Sequence, residues 1–168
     1  MITLKLKKTN INITQKIYDE YIEEVGIHTL NCKCGSHELV RHGYYNRKVK
    51  TAVGTITIRI LRVKCKRCKA THAIFLCILV PYQMIQLNIQ INILKGTVNE
   101  KVLMDNNPDI SEQDIKRVRK RYKKKFKNWM ELEKLSFEND LVTAAYNSLN
   151  ANFMQMKKIR NFVLVQST

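Results

Sequence analysis

With 168 residues, five Gly and two Pro, the chain has room for one ordinary domain or two small ones and little material for long linkers. Lys and Arg number 30 against 14 Asp and Glu, a formal charge of +16, which points to a polyanion such as nucleic acid or, failing that, an acidic membrane surface. The uncharged stretch from Ala73 to Leu94 is interrupted by Pro81, three Gln and two Asn, so a membrane span is excluded.

Met1 to Lys8 alternates apolar and polar residues as a short strand does, and lacks the apolar core of a secretory signal. The expected location is therefore the cytoplasm, where thiols stay reduced. Thr14 is placed to cap a helix running to Val25, with Ile17, Tyr18, Tyr21, Ile22 and Val25 on one face and Gly26 at the C-terminal cap. Three strands are expected next, over 39–45, 47–53 and 55–64, with a turn at Gly54. Alternation of Ile56, Ile58 and Ile60 with Thr57 and Arg59 gives the third a buried face and a charged one.

Residues 85–93 alternate strictly, as a strand would, but Ile85, Ile89, Ile93 and Leu94 also form a helical stripe ending at Gly96. A helix is preferred there. A short helix over 98–106 would end at Asn107-Pro108-Asp109, and Ser111 then caps a longer one reaching Lys127. The tail reads as a helix from about Asn139 through Met156 followed by a strand-like end, 161–165, with Lys157, Lys158 and Arg160 adding positive charge. With Cys32, Cys34, Cys65 and Cys68 bracketing the hairpin, the expected class is α+β, a small antiparallel zinc-ribbon sheet followed by a helical helix-turn-helix region. Its units would be 1–29, 30–82, 83–136 and 137–168.

Two cysteine pairs, Cys32 with Cys34 and Cys65 with Cys68, bracket the expected hairpin. Four thiolates at one tetrahedral Zn²⁺ need two short chelating loops joined by a sheet, and this spacing supplies them. Only Lys33 separates the first pair, a tighter loop than the usual zinc knuckle. His28 and His37 lie near enough in sequence to replace one thiolate. A disulfide or a cluster of free thiols would be the alternative, and nothing suggests an oxidising compartment.

No carboxylate occurs between Glu38 and Glu100, while eleven Lys and Arg do. Arg47, Lys48 and Lys50 lie on the ribbon, with Tyr44 and Tyr45 beside them, a pattern suited to tracking phosphates and stacking on bases. From Lys116 to Lys127, nine of twelve residues are Lys or Arg. Ile115, Val118, Tyr122, Phe126 and Trp129 fall on one stripe, which turns Gln113, Arg117, Lys120 and Lys124 outward. Both surfaces could merely be solvated, but so many like charges on one helix repel without a counter-charge. DNA is the simplest counter-charge. The contact set expected is Gln113, Lys116, Arg117, Lys120, Lys124, Lys127, Arg47, Lys48 and Lys50.

The residues from Cys34-Gly35-Ser36 through Arg41-His42-Gly43-Tyr44-Tyr45 to Arg62-Val63-Lys64-Cys65, Cys68 and Thr71-His72-Ala73 resemble the zinc ribbon of insertion-sequence transposases. The likeness is closest to a family of short transposase-like proteins that continue with a Val80-Pro81-Tyr82 type segment, a helix-turn-helix and a Phe153-Met154-Gln155 type tail. Leu76-Cys77 departs from the proline usual there, which leaves Cys77 as a core thiol. The resemblance implies DNA binding with Zn²⁺ as cofactor, duplex DNA as partner, and a transposase or a second copy of the chain beside it. No membrane and no small-molecule substrate are expected. Transposase chemistry needs carboxylates converging on metal ions, and no catalytic residue is assigned, because Asp105, Asp109 and Asp114 fall in the turn and cap of the helix-turn-helix. The rival readings are a transcriptional regulator unrelated to transposition, a compact metal-dependent nuclease, and an RNA-binding ribbon.

Overall fold

Isoleucines at alternate positions build the expected ribbon, and the structure, a computed structural model that describes residues 1–96, 99–157 and 163–166, extends it into a long hairpin. Strand β2 runs Leu39–Thr51 and β3 runs Gly54–Cys65, antiparallel, with Thr51 opposite Gly54 at the tip and Leu39 opposite Cys65 at the base. Where two strands were expected over 39–53 there is one. Asn46 does not interrupt it, since it pairs with Arg59, and the irregularity falls instead between Arg41 and Gly43, whose φ of 109° suits glycine in a bulge.

Strand β4, Thr71–Leu76, was not expected. Its residues do not alternate because His72, Ile74, Phe75 and Leu76 are all buried, as happens to a strand covered on both faces. It pairs antiparallel with β3 and parallel with β1, Ile2–Lys5, and β1 pairs parallel with β5, Val163–Gln166. The protein is thus α+β with a five-stranded mixed sheet in the order β2-β3-β4-β1-β5. Strands from three of the four expected units share this sheet, so the sheet runs across those boundaries.

Helix α1, Gln15–Val25, has the expected caps: Thr14 accepts from Ile17 N–H, and Gly26 follows at a φ of 70°. Its Tyr18 is fully buried, the hydroxyl donating to Ile74 C=O at 2.8 Å and accepting from Leu61 N–H at 2.9 Å. Helix α2, Leu87–Lys95, settles the ambiguous segment in favour of helix, burying Leu87, Ile89 and Ile93, with left-handed Gly96 as its cap. The expected start of the next helix at Val98 lies outside the described residues; α3 spans Glu100–Asp105 and is capped by Asn99.

Helix α4, Glu112–Arg121, begins with Ser111 and Asp114 capping each other's backbone N–H. It passes through a π segment, Tyr122–Phe126, into α5, Lys127–Leu132, so the expected helix is longer and contains one widened turn, closed by Lys127 N–H on Tyr122 C=O. At the end of that segment Phe126 is fully buried, 5.1 Å from Phe153 and 6.2 Å from Trp129 between ring centroids. Helix α6, Leu141–Leu149, is shorter than expected: Asn150 turns left-handed, and the buried residues Ala151 to Gln155 follow as turns. Of the tail's basic residues, Lys158 and Arg160 lie outside the described residues.

The hairpin tip is fastened to the helical region. Lys50 Nζ donates to Asp114 Oδ2 at 2.6 Å and to Asp109 C=O at 2.8 Å. Asp109 accepts from Thr55 N–H, and the Lys50 backbone bonds Met84 C=O and Gln86 N–H at 2.8 and 3.1 Å. The Lys50 and Asp114 side chains are only 20% and 11% exposed, so this pair is shielded from solvent in a way that surface pairs are not. Burial pushes the Asp114 carboxyl up, but hydrogen bonds from Lys50 and Ser111 outweigh it and hold the group below the usual carboxylate range.

Lys50→Met should therefore cost about 1–3 kcal/mol at neutral pH, because it strands a partly buried carboxylate. A depressed native pKa contributes stability above about pH 4 that is lost as pH falls through the native value, so the gap between variant and wild type should close in acid. Denaturant unfolding at pH 7 and at pH 3 measures both; equal stabilities at pH 7 would contradict the clamp.

Candidate metal centre and nucleic-acid interface

The pairing of Leu39 with Cys65 returns the end of the hairpin to the first cysteine loop, and Lys66 N–H on Glu38 C=O at 2.8 Å ties the two loops together. In the first loop Gly35 N–H bonds Cys32 C=O at 2.8 Å and Cys32 N–H bonds Ser36 C=O at 2.9 Å. Such a tight return needs the positive φ of 82° at Gly35, which explains how one intervening residue suffices. In the second, Cys65 N–H bonds Ala70 C=O at 2.9 Å, and Lys69, at a φ of 61°, bonds Cys65 C=O at 3.0 Å.

All four sulfurs, of Cys32, Cys34, Cys65 and Cys68, lie within 4.8 Å of one another. Cys32 and Cys68 are 3.4 Å apart and Cys34 and Cys65 3.7 Å, against an edge of about 3.8 Å for a tetrahedron of thiolates on a metal at about 2.3 Å. The four cysteines can hold a metal ion. Cys77 stands apart as a buried core thiol, raised to about 11 by burial.

Burial also drives the Cys32 thiol up to about 12, whereas the Cys68 backbone N–H, with further hydrogen bonds from the Cys68 thiol, Arg67 and Cys34, brings Cys65 down to about 6. A metal must displace the Cys32 proton, so its hold weakens as pH falls. His28 and His37, the histidines near in sequence, are exposed and stand outside the cysteine cluster. The histidine that reaches the sulfurs is His72 on β4, fully buried, with Nε2 3.2 Å from Cys32 Sγ and Nδ1 3.2 Å from the Met1 nitrogen. Sequence reasoning gave it no role. Its register opposite Val63, two residues before Cys65, places it there, and that register was not visible without β4.

On the other side of the clamp, Gln113, Lys116, Arg117, Lys120, Lys124 and Lys127 are all exposed, as is Lys48 on the hairpin. Lys116, Arg119, Lys120, Lys123 and Lys124 together line an open concavity that contains no acidic side chain. The exposed carboxylates nearby pair with this surface, Glu112 with Lys116 at 2.5 Å, Glu100 with Arg119 and Glu131 with Lys127 at 3.8 Å, each worth little in water, while the clamped Asp114 also lies 3.7 Å from Arg117.

Arg47 and Lys50 are placed differently from the expected contacts. Arg47 donates to Val80 C=O at 2.5 Å and Gln83 C=O at 2.6 Å and lies 4.8 Å over the Phe75 ring, while Lys50 is spent on the clamp. For Arg47 the signal was present: two residues before the buried Val49, it shares that inward face. For Lys50 it was not, since the partners are more than fifty residues away in sequence.

Cys68→Ser should lose most bound metal and melt at a lower temperature, because a structural metal contributes folding free energy. His72→Ala keeps all four sulfurs and should weaken metal retention by about tenfold, the lower end of what outer partners contribute. Competition with a coloured chelator reads both; unchanged retention in His72→Ala would reduce that residue to core packing.

Comparison with curated proteins and with solved structures gives no match. Among protein families, the one described as a domain of unknown function (DUF6431) matches residues 32–128, a span that begins at Cys32, holds all four cysteines and takes in the basic helix as far as Lys127. Because the match covers more than half of the sequence, the chain belongs to the DUF6431 family.

Proposed function

We propose that this protein binds duplex DNA as a transposase-like module, with a zinc-held ribbon beside a helix-turn-helix and no catalytic domain of its own. Four thiolates at tetrahedral spacing are the donor set that favours Zn²⁺, and a closed site of four thiolates serves structure. The short helix α3, the turn through Asp109 and the capped helix α4 have the order of a helix-turn-helix, in which the N-terminal part of the second helix reaches base edges in the major groove.

The observation that carries this reading is the concavity of five Lys and Arg on α4 and the π segment, without a carboxylate in its lining. A merely soluble surface would mix signs. In this reading Gln113, Arg117 and Lys120 face base edges, Lys116, Lys124 and Lys127 meet phosphates, and Lys48 grips the adjoining backbone from the ribbon. The partner that completes a transposition reaction would be a transposase or a second copy of this chain. Asp114 and Asp109 are committed to the clamp and Asp140 to Lys5, which favours a binding role over cleavage.

The purified protein should carry about one zinc per chain, measured by elemental analysis. If roughly six to ten phosphates are contacted, DNA affinity should fall by about 10³ to 10⁵ between about 50 and 200 mM salt. Arg117→Ala should relax preference at one base position, by about 1–3 kcal/mol, whereas Lys124→Ala should weaken all sequences alike. Binding to a site selected from random duplexes and to its scrambled form decides this. A flat salt profile would remove nucleic acid as the partner, and an equal loss on both DNAs for Arg117→Ala would reduce α4 to an electrostatic pad.

A further inference from the structure

On the sheet face opposite α1, a groove of about 620 Å³ lies between the hairpin and the 80–84 loop, within the size range that takes small ligands. Tyr45, Phe75, Tyr82 and Met84 supply apolar lining, Lys48 also borders it, and no acidic residue does. Tyr82 is 70% exposed, Met84 46% and Tyr45 37%, an unusual set of large apolar groups to leave in water on one site.

Tyr82 is held there against its backbone preference. It is the third residue of a turn closed by Gln83 N–H on Val80 C=O at 3.2 Å, after Pro81, and its φ is 60°. That position of such a turn favours glycine, and a tyrosine in it is strained. The cost presents an aromatic ring at the groove, with Lys157 Nζ 5.2 Å from the ring centroid. The groove is also linked to the basic helix, because its lining residue Gln83 accepts from Arg121 Nη1 at 2.9 Å.

We propose that this groove takes one unstacked nucleobase of a DNA strand, held against Tyr82 and Tyr45, with Lys48 and Lys157 at the phosphates on either side. Stacking on an aromatic ring is tolerant of base identity, and cations beside the rings suit the phosphodiester that a base brings with it. The proposal rests on the DNA-binding reading and names a second site within it, for an unpaired base at a strand end, bulge or distortion.

The test uses the metal-loaded full chain, a fully paired duplex, and the same duplex carrying one unpaired 2-aminopurine. Wild type should bind the second DNA at least about fivefold more tightly, with the base's fluorescence quenched further on binding. Tyr82→Gly suits the turn, so it should fold, lose that preference and keep its affinity for the paired duplex; Tyr45→Ala should lose part of the preference. Equal affinity of wild type for the two DNAs, or an equal loss on both in Tyr82→Gly, overturns the groove. Binding of the unpaired DNA alone supports the groove and overturns the duplex reading, and binding of neither overturns both.

Discussion

The Lys50 ammonium between Asp114 and the Asp109 carbonyl is the contact on which the arrangement of this protein depends. Asp114 is at once the capping partner of Ser111 at the start of α4 and the counter-ion of the hairpin tip. One carboxylate therefore fixes where the basic helix begins and where the ribbon ends. The surrounding bonds, Thr55 N–H on Asp109 and the Lys50 backbone on residues 84 and 86, hold the same junction from other directions. A shielded ion pair of this kind contributes to geometry more than to net stability, since desolvation offsets much of its attraction.

From that junction the hairpin runs the length of twelve paired positions to the four cysteines. Its base is where a small sheet most needs help: two irregular loops with positive φ at Gly35 and Lys69 are held by few backbone bonds, and four thiols face one another. A metal there would hold the base while the ion pair holds the tip. In the proposed function the two fasteners are one device, because a polyanion gripping both Lys48 and α4 needs them at a fixed separation, and cations set in advance lose less freedom on binding.

Much of this was legible in the sequence, for identifiable reasons. The cysteine spacing, the Thr14 and Ser111 caps and the isoleucine alternation are local signals, and each led to the element observed. The two-way periodicity of 85–94 was decided by Gly96 and by burial of Leu87, Ile89 and Ile93. What stayed hidden was non-local. Strand β4 carries no alternation because both faces are covered, and without it neither the parallel pairing to β1 nor the position of His72 at Cys32 could be drawn. Lys50 looked like a phosphate contact because its partners are distant in sequence, and the π segment at Tyr122–Phe126 left no mark on a stripe that fits a regular helix almost as well.

In the proposed function the cysteine end and the basic helix act as one rigid DNA-binding unit, although no cysteine is assigned to DNA. Titrating a selected duplex with metal-loaded protein and with chelator-treated protein, at one salt concentration, tests this most directly. Metal removal should weaken binding by at least about tenfold and restored zinc should recover it, because loss of the hairpin base frees the ribbon's grip and disturbs the cap of α4. Equal affinity of the two forms would contradict it and leave the helix to bind alone.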